Sequence, residues 1–281
     1  MRPKSRADIK TLNRILLILA ICYAIFTSLI IYRVIYGTMP FYGGRWKLVW
    51  CDEFNGTALD LTKWTPVSQG SGPNNELQAY IDENVTVKNG CLVLGTKKEE
   101  WTGPDNLRTG EAVTRYFTSG RVNSKDKDAW TYGRFEIRAK FPAGQGLISY
   151  AALFPIDDSW PPEIEIVEMR GKDPRAVYLL NIWGSNEQQH DDNSGPVMGY
   201  DYSADFHIYT LEWEPRKLRW YIDGIEKFQL TQNIPDKPLY LRLLTSVGGI
   251  YGGDPYNKEN KSGLSLPKYF FVDWVRVYQR R

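Results

Sequence analysis

The chain has 281 residues, of which 42% are hydrophobic, and carries 35 Lys and Arg against 33 Asp and Glu, a formal net charge of +2. Five basic residues and one Asp give residues 1–14 a charge of 5 − 1 = +4, so residues 15–281 carry +2 − 4 = −2. This balance excludes nucleic-acid binding as the main function. The length without a Pro/Ser-rich linker suits one large domain.

The N-terminal segment is the sharpest change in composition. Residues 15–32 contain no charge, and these 18 residues are just long enough for a helix across a bilayer. The basic segment at 1–14 predicts a cytoplasmic N-terminus. We therefore predict a transmembrane signal anchor at 15–36, a short linker at 37–45 and a periplasmic or extracellular domain at 46–281. The alternative is secretion after signal cleavage, although no A-x-A-like site follows the apolar run.

Short runs rich in β-branched and aromatic residues follow, separated by Gly, Pro, Asn and Asp, which predicts strands and turns. In chain order they are WKLVWCDEF, CLVLGTKK, SGRVNS, GRFEIRAKF, EIEIVEM, HIYTLEWE, LRWYIDG, LYLRLLTSV and FVDWVRVYQ. No run keeps helical periodicity over three turns. The predicted fold is an all-β antiparallel sandwich, or jelly roll, of many strands.

Two of these runs predict local detail. GRFEIRAKF alternates apolar with charged residues, which is typical of a half-buried antiparallel strand. RWYIDGIEKF predicts a hairpin with Asp223 and Gly224 at its turn. His207, in DFHIYTLEW, is predicted to be a structural hydrogen-bonding residue.

The stretch WPPEIEIVEMRG, residues 160–171, concentrates three glutamates in an apolar run. On a regular strand Glu163 and Glu165 share one face while Glu168 points to the other. A β-bulge at Ile166–Val167 would return Glu168 to the shared face. Three such carboxylates repel one another, so at least one pKa should be raised. The alternative is a solvated strand face that carries three glutamates by chance.

Neighbouring segments give this strand a context. KLVWCDEFNGTALDLTKWT, NNELQAY, TSGRVNS, YGRFEIRAKFPAGQGL, DFHIYTLEW, WYIDG and FVDWVRVYQ occur in this order. Together with the E-x-E-x-x-E strand, they resemble glycoside hydrolase family 16, the laminarinase-like β-glucanases, over about residues 46–279. The resemblance implies a jelly roll with a concave substrate cleft.

The resemblance also implies roles for single residues. Glu163 would be the nucleophile, Glu168 the general acid/base and Glu165 the assisting carboxylate. The candidate substrate-binding residues are Trp160, Asn75, Arg121 and Trp183. Of these, Trp160 would stack on a sugar ring, while Asn75 and Arg121 would bind substrate hydroxyl groups. Packing and ion pairing are the alternative roles of Trp160 and Arg121.

Many family members bind a structural Ca²⁺, and the resemblance places its ligands at Glu53, the Gly90 carbonyl and Asp273. Oxygen ligands suit calcium, and such a site would serve stability rather than catalysis. No cofactor is expected for the reaction itself. The resemblance places Cys51 and Cys91 on neighbouring strands, which leaves a disulfide open.

Three departures from the laminarinase pattern limit what can be expected of the substrate. Glu165 stands where Asp is usual, and GLISYAALFP lacks two cleft tryptophans. YLLNIWG has Tyr178 and Ile182 where histidines are usual. The expectation is a membrane-anchored, monomeric, retaining endo-β-glycosidase that hydrolyses a β-linked polysaccharide, either a β-1,3-glucan-like chain or a cell-wall or exopolysaccharide glycan. The alternatives are a transglycosylase that remodels such glycans and a non-catalytic glycan-binding protein.

Overall fold

A computed structural model shows where the described chain forms strands. It describes Ala20, Tyr23 and residues 45–70, 72–105, 110–193, 195–257 and 262–281. The predicted cytoplasmic segment, the anchor at 15–36 and the linker at 37–45 lie outside the described residues, except for Ala20, Tyr23 and Arg45. Within the described part, no helix is long and apolar enough to cross a bilayer.

Residues Trp46–Arg281 form one compact unit, and strands account for most of its regular structure. The first twelve described strands are β1 (Trp46–Asp52), β2 (Thr65–Pro66), β3 (Gln78–Tyr80), β4 (Val85–Lys88), β5 (Cys91–Thr96), β6 (Trp101–Pro104), β7 (Ala112–Arg115), β8 (Phe117–Ser119), β9 (Arg121–Asn123), β10 (Gly133–Lys140), β11 (Leu147–Pro155) and β12 (Glu163–Arg170).

The remaining described strands are β13 (Ala176–Tyr178), β14 (Asn181–Asn186), β15 (Gln189–Asp192), β16 (Pro196–Met198), β17 (His207–Glu214), β18 (Lys217–Ile222), β19 (Ile225–Leu230), β20 (Leu239–Val247), β21 (Tyr256–Asn257), β22 (Ser262–Gly263) and β23 (Lys268–Arg280). A 3₁₀ turn at Asp82–Asn84 and a short helix, α1 (Gly249–Gly252), complete the regular elements of the described chain.

Two large antiparallel sheets organise the described strands. The eight-stranded sheet has the order β19-β18-β17-β10-β23-β5-β4, with β1 paired to β23. The nine-stranded sheet has the order β15-β14-β12-β11-β20-β9-β2, with β13 paired to β12 and β16 to β13. Residues from both sheets share one hydrophobic core. The prediction of an all-β, jelly-roll-like sandwich is therefore confirmed.

The strand β10 shows how the sequence pattern produces this packing. Its apolar residues all lie in the core, as predicted: Phe135, Ile137 and Ala139, followed by Phe141 just beyond the strand. Phe141 stacks on Phe270 at 4.6 Å between ring centroids. Burial of such a side chain stabilises the fold by roughly 1.5–3 kcal/mol.

The other face of β10 is less exposed than predicted. Arg134 and Glu136 are buried rather than solvated, because neighbouring strands supply partners for their charges. Arg134 donates to Glu136 at 2.7 Å and to Glu212 of β17 at 2.6 Å. The prediction of a half-buried strand is therefore wrong at these two positions.

The predicted hairpin is present. Asp223 and Gly224 join β18 to β19 with φ of 51° and 80°, the left-handed conformation that a two-residue hairpin turn requires. The Asp223 carboxylate accepts a hydrogen bond from the backbone N–H of Ile208 and lies 2.7 Å from Nδ1 of His207. The structural role predicted for His207 is therefore confirmed.

Candidate active site

The strand β12 is irregular at one point. Ala151 of β11 lies opposite Val167. The next residue of β11, Ala152, lies opposite Glu165 rather than Ile166. Two residues of β12 therefore occupy the length of one residue of β11, which is a β-bulge. The predicted bulge at Ile166–Val167 is confirmed.

The bulge brings the three glutamates onto one face of the nine-stranded sheet. Tyr150 and Ala152 are two residues apart on β11, so their side chains share a face. Tyr150 lies opposite Glu168, and Ala152 lies opposite Glu165. Glu163 precedes Glu165 by two residues and points the same way. We call this surface the glutamate face, and the apolar side chains of β12 pack on its other side in the core.

Hydrogen bonds connect Glu163 to two neighbours. The indole Nε1 of Trp160 donates to Oε2 of Glu163 at 2.8 Å. The carboxyl groups of Glu163 and Glu165 are hydrogen-bonded to each other. Such a bond needs one proton, so one carboxyl group is the donor and the other the acceptor.

The pKa shifts of the two glutamates indicate which carboxyl group carries this proton. Burial raises the pKa of Glu163 to about 7, while the Trp160 hydrogen bond and the charge of Arg242 oppose this rise. Burial, and then the charges of Glu168 and Glu163, hold the pKa of Glu165 well above its ordinary value. Glu165 therefore carries the proton and is the hydrogen-bond donor to Glu163. The donated hydrogen bond stabilises the anionic form of Glu163.

Glu168 has a different partner. Nε of Arg170 donates to its Oε1 at 2.8 Å, and the Arg170 guanidinium lies 3.9 Å from the ring centroid of Tyr178. Burial raises the pKa of the Glu168 carboxyl, and the Arg170 charge opposes that rise. Burial therefore favours the protonated form of Glu168, while Arg170 stabilises the anion that remains after the proton leaves.

The other predicted substrate-binding residues divide into two groups. Trp160 lies beside Glu163 and is packed against an aromatic cluster on the glutamate face. Arg121 of β9 lies on the same face, 5.5 Å from the ring centroid of Tyr80. Asn75 is exposed and has φ of 59°. It lines an open depression of about 400 Å³, together with Leu77, Gly249, Ile250, Gly253, Asp254 and Pro255.

The register corrects the prediction for Trp183. On β14, Ile182 lies directly opposite Glu163, so Ile182 points to the glutamate face. Side chains alternate along a strand, which turns Trp183 to the opposite face. A sugar bound over the glutamates would therefore meet Ile182. His190 of β15, on this side of the sheet, lies 4.7 Å from Trp160 between ring centroids.

Sequence analysis did not single out Arg242, Arg170 or Tyr150. Arg242 of β20 lies opposite Ala152 and therefore shares the glutamate face. Its guanidinium lies 3.7 Å from the ring centroid of Phe154. The available signal was one arginine inside the apolar run LYLRLLTSV, which is unusual for a buried strand.

The two carboxylates among the predicted calcium ligands are engaged in ion pairs. Both carboxylate oxygens of Glu53 accept hydrogen bonds from Arg276, at 2.7 and 2.8 Å. Asp273 pairs with Arg138. Among the described residues, no three His, Cys, Asp or Glu side chains are grouped to hold a metal. Calcium binding by Glu53, Gly90 and Asp273 stays a prediction from the resemblance.

Cys51 and Cys91 are separate thiols, and both are half-buried. The Sγ atom of Cys91 lies 4.0 Å from Oδ1 of Asp273. Burial, and then the charge of Asp273, raise the pKa of the Cys91 thiol.

Glycoside hydrolases work with a pair of neighbouring carboxyl groups, and the buried carboxyl groups beside aromatic rings on the glutamate face fit that class of enzyme. Comparisons with known proteins agree. The family model described as glycosyl hydrolases family 16 matches residues 74–275. A β-glucanase of Rhodothermus marinus is 31% identical over 262 residues, which cover 84% of this chain and 86% of that protein.

A second relative, glucan endo-1,3-β-glucosidase A1 of Niallia circulans, is 32% identical over 84% of this chain, which spans 38% of that protein. Among solved structures, the laminarinase catalytic domain of Thermotoga maritima MSB8 is 31% identical, with a TM-score of 0.72 and coverage of 84% of this chain and 98% of that one. The chain belongs to glycosyl hydrolases family 16 and is a glycoside hydrolase. The resemblance found in its motifs is thereby confirmed.

Proposed function

We propose that this protein is a retaining endo-β-glycosidase that cleaves a β-linked polysaccharide by double displacement. One observation carries the proposal: the bulge in β12 places Glu163, Glu165 and Glu168 on the same sheet face. Retention requires a nucleophilic carboxylate and a protonated carboxyl group on opposite sides of the bond that breaks.

In the first step, a carboxylate oxygen of Glu163 attacks the anomeric carbon while Glu168 gives its proton to the glycosidic oxygen. The leaving sugar departs as an alcohol, and an ester joins Glu163 to the remaining chain. Glu165 and Trp160 orient Glu163 through their hydrogen bonds. Arg170 stabilises the Glu168 anion formed in this step.

In the second step, Glu168 takes a proton from water, and the water oxygen attacks the anomeric carbon. The ester bond breaks, and Glu163 returns to its anionic form. The product then keeps the β configuration of the substrate.

Two observations bear on the substrate class: the relatives of this chain and the residues beside Glu163 and Arg170. The relatives named above act on β-glucans, which supports a β-1,3- or mixed-linkage glucan. Ile182 beside Glu163 and Tyr178 beneath Arg170 occupy positions where the laminarinase pattern has histidines. Because these two residues replace histidines of the laminarinase pattern, a cell-wall or exopolysaccharide β-glycan is as well supported as a storage β-1,3-glucan.

Site-directed variants of the full chain test the mechanism. We expect Glu163→Gln and Glu168→Gln each to lower oligosaccharide release from laminarin, mixed-linkage β-glucan or an exopolysaccharide by at least about a hundredfold. Glu226→Gln is the matched control, because Glu226 is exposed on β19 of the other sheet. A Glu168→Gln enzyme with wild-type activity would remove Glu168 from the reaction.

Product stereochemistry separates the two carboxyl roles. With an aryl β-glycoside whose leaving group needs no protonation, Glu168→Ala should still form the ester. Added azide should then give a β-glycosyl azide, whereas Glu163→Ala with azide should give the α form. Formation of α-configured sugar by the wild-type enzyme would rule out retention. Oligosaccharides longer than the substrate would instead indicate transglycosylation.

We further propose that residues 15–36 anchor the protein as a single-pass signal anchor, with the catalytic domain outside the cytoplasm. The uncharged stretch at 15–32 and the basic residues before it support this orientation. Alkaline carbonate extraction of membranes that contain the full chain tests the anchor. Release of the chain into the soluble fraction would contradict it and favour a cleaved signal.

A further inference from the structure

Two arginines on the glutamate face form no ion pair among the described residues. All other described arginines that are at least half-buried do form one. Six such arginines have a carboxylate oxygen within 4.0 Å: Arg115, Arg134, Arg138, Arg170, Arg219 and Arg276. Arg121 and Arg242 are also half-buried. Within the described residues, no carboxylate comes as close to either of them.

Both arginines lie near the proposed nucleophile. Arg242 lies opposite Ala152, which in turn lies opposite Glu165, so two strand spacings of about 4.8 Å separate Arg242 from β12. Arg121 is one strand further, opposite Leu244 of β20. The Arg242 guanidinium lies over Phe154 of β11, between its own strand and β12, so both arginines belong to the part of the glutamate face that faces the carboxyl groups.

Neutral groups surround the two guanidinium ions. Arg242 donates to the Tyr240 hydroxyl and lies over the Phe154 ring, while Arg121 lies over Tyr80. The Nε atoms of both arginines are buried and make no hydrogen bond among the described residues. Burial, and then the charge of Arg242, lower the pKa of Arg121, as expected for two neighbouring cations. Both charges are therefore partly desolvated, and among the described residues neither has a carboxylate oxygen within 4.0 Å.

Two carboxyl groups lie near these arginines, but neither forms an ion pair with them. Glu76 lies near Arg121, but its Oε2 accepts hydrogen bonds from Gln78 at 2.8 Å and Tyr80 at 3.3 Å. Burial raises the pKa of the Glu76 carboxyl, which disfavours its ionised form. Glu163 lies near Arg242 but is committed to Trp160 and Glu165.

We propose that Arg121 and Arg242 bind an anionic substituent, a carboxylate or a sulfate, on the glycan beside the bond that is cleaved. A guanidinium presents parallel N–H donors that match two oxygens of such a group, and an anion would relieve the repulsion between the two cations. This inference rests on the proposed hydrolysis and names its substrate class: an acidic β-glycan rather than a neutral one.

Matched probes test the inference by binding. Glu168→Gln, made in the full chain, removes the proposed acid but leaves Glu163 and Arg242 unchanged. We would titrate this variant with laminarin, carboxymethylated laminarin and sulfated laminarin at fixed ionic strength. At least one anionic derivative should bind ten times more tightly than laminarin, and comparison of the two derivatives separates carboxylate from sulfate. Equal affinity for all three polymers would overturn the inference.

Second substitutions locate the effect. Arg242→Met and Arg121→Met, added singly, should each reduce the ratio of anionic to neutral affinity to within about threefold of one. The control is Arg219→Met, because Arg219 is half-buried beside Tyr221 on the other sheet. An anion site would be contradicted if Arg219→Met also abolished the preference for the anionic polymers. It would also be contradicted if Arg242→Met lowered the affinity for laminarin and for its derivatives by the same factor.

Activity distinguishes this inference from the proposed function. Failure of the wild-type enzyme to hydrolyse any of the three polymers, with the binding ratio intact, would support the anion site and count against the hydrolase assignment on these glucans. Hydrolysis of all three polymers with equal kcat/KM, and no binding preference, would support the hydrolase and overturn the anion site.

Discussion

The two large sheets both hold buried charges, but they arrange them differently. On the eight-stranded sheet, Arg134 lies between Glu136 and Glu212, and Glu212 also accepts hydrogen bonds from Arg219 and Tyr221. On the glutamate face, three carboxyl groups lie together, and two arginines close by have no carboxylate oxygen within 4.0 Å in the part of the chain that the structure describes. Paired charges on the eight-stranded sheet hold neighbouring strands together. Crowded or unpaired charges on the glutamate face instead have altered pKa values and can bind a ligand, which are properties of catalytic sites.

The first way to break this comparison is to unpair the structural network. Arg134→Met would leave Glu136 and Glu212 buried beside one another without their shared cation. We expect the free energy of unfolding to fall by about 3–5 kcal/mol. Urea denaturation at pH 7 measures this, with Arg280→Met as a control because Arg280 forms an exposed pair with Glu214. A loss below about 1 kcal/mol for Arg134→Met would show that the network contributes little.

The opposite effect is expected at the nucleophile. The pKa of Glu163 is about 7 in the folded chain against an ordinary value of 4.5. A raised folded-state pKa gives stability that is complete below about pH 4.5 and is lost as pH rises to 7 and above. Glu163→Gln carries no such titration. It should therefore be more stable than wild type by roughly 1–3 kcal/mol at pH 8.

Thermal unfolding at a series of pH values measures this difference. The gain of Glu163→Gln over wild type should shrink steadily between pH 8 and pH 4.5, while activity is lost throughout. Glu226→Gln, at an exposed position, should show no such trend. A gain that is the same at pH 4.5 and pH 8 would mean that the ionised Glu163 carboxylate does not destabilise the fold.

Sequence reasoning reached the fold because strand patterns report burial directly. The apolar side of GRFEIRAKF and the Asp-Gly turn of RWYIDGIEKF each follow from local chemistry. The bulge could also be predicted, since Glu168 is out of register with Glu163 and Glu165 on a regular strand. The bulge is confirmed by the register of β11 against β12. That register depends on how the two strands pair and cannot be read from the sequence of either strand alone.

The parts that failed depend on pairing between distant strands. Arg134 and Glu136 look like a solvated face until β17 and β23 supply their neighbours. The face on which Trp183 lies is set by the pairing of Ile182 with Glu163, and the local sequence around Trp183 does not reveal that pairing. Arg242 joins the site because β20 lies next to β11, 90 residues away along the chain from Ala152. Such contacts are properties of the topology.

A smaller effect should separate the roles of Glu165 as a proton donor and as a charge. Because Glu165 is the protonated partner of Glu163, the amide of Glu165→Gln can donate the same hydrogen bond. We expect this variant to keep kcat within about tenfold of wild type, while Glu165→Ala loses roughly a further 1 kcal/mol of transition-state stabilisation. Steady-state kinetics on one polymer measures both. A Gln variant as impaired as the Ala variant would mean that the carboxylate charge itself is required.

The smallest effect concerns the hydrogen bond from Trp160. Phe at this position keeps an aromatic ring for packing but removes the indole N–H that lies 2.8 Å from Glu163. That bond favours the anion, so its loss should raise the pKa of Glu163 further. The acidic limb of the kcat/KM profile should then move to higher pH, because the nucleophile must be ionised to react. The indole N–H binds the carboxylate more strongly than the protonated carboxyl group by about 1 kcal/mol, which corresponds to a shift of about one pH unit or less.

The pH profile is decisive here because loss of sugar stacking would not move it. If Trp160 acts only as a platform for the substrate, Trp160→Phe should leave the acidic limb in place and change KM alone. A shifted limb with nearly unchanged KM would place Trp160 in the control of the nucleophile. Tyr240→Phe is a suitable comparison, since Tyr240 belongs to the same aromatic cluster but donates no hydrogen bond to Glu163 among the described contacts. Only the Trp160 variant should therefore change the pH at which the enzyme becomes active.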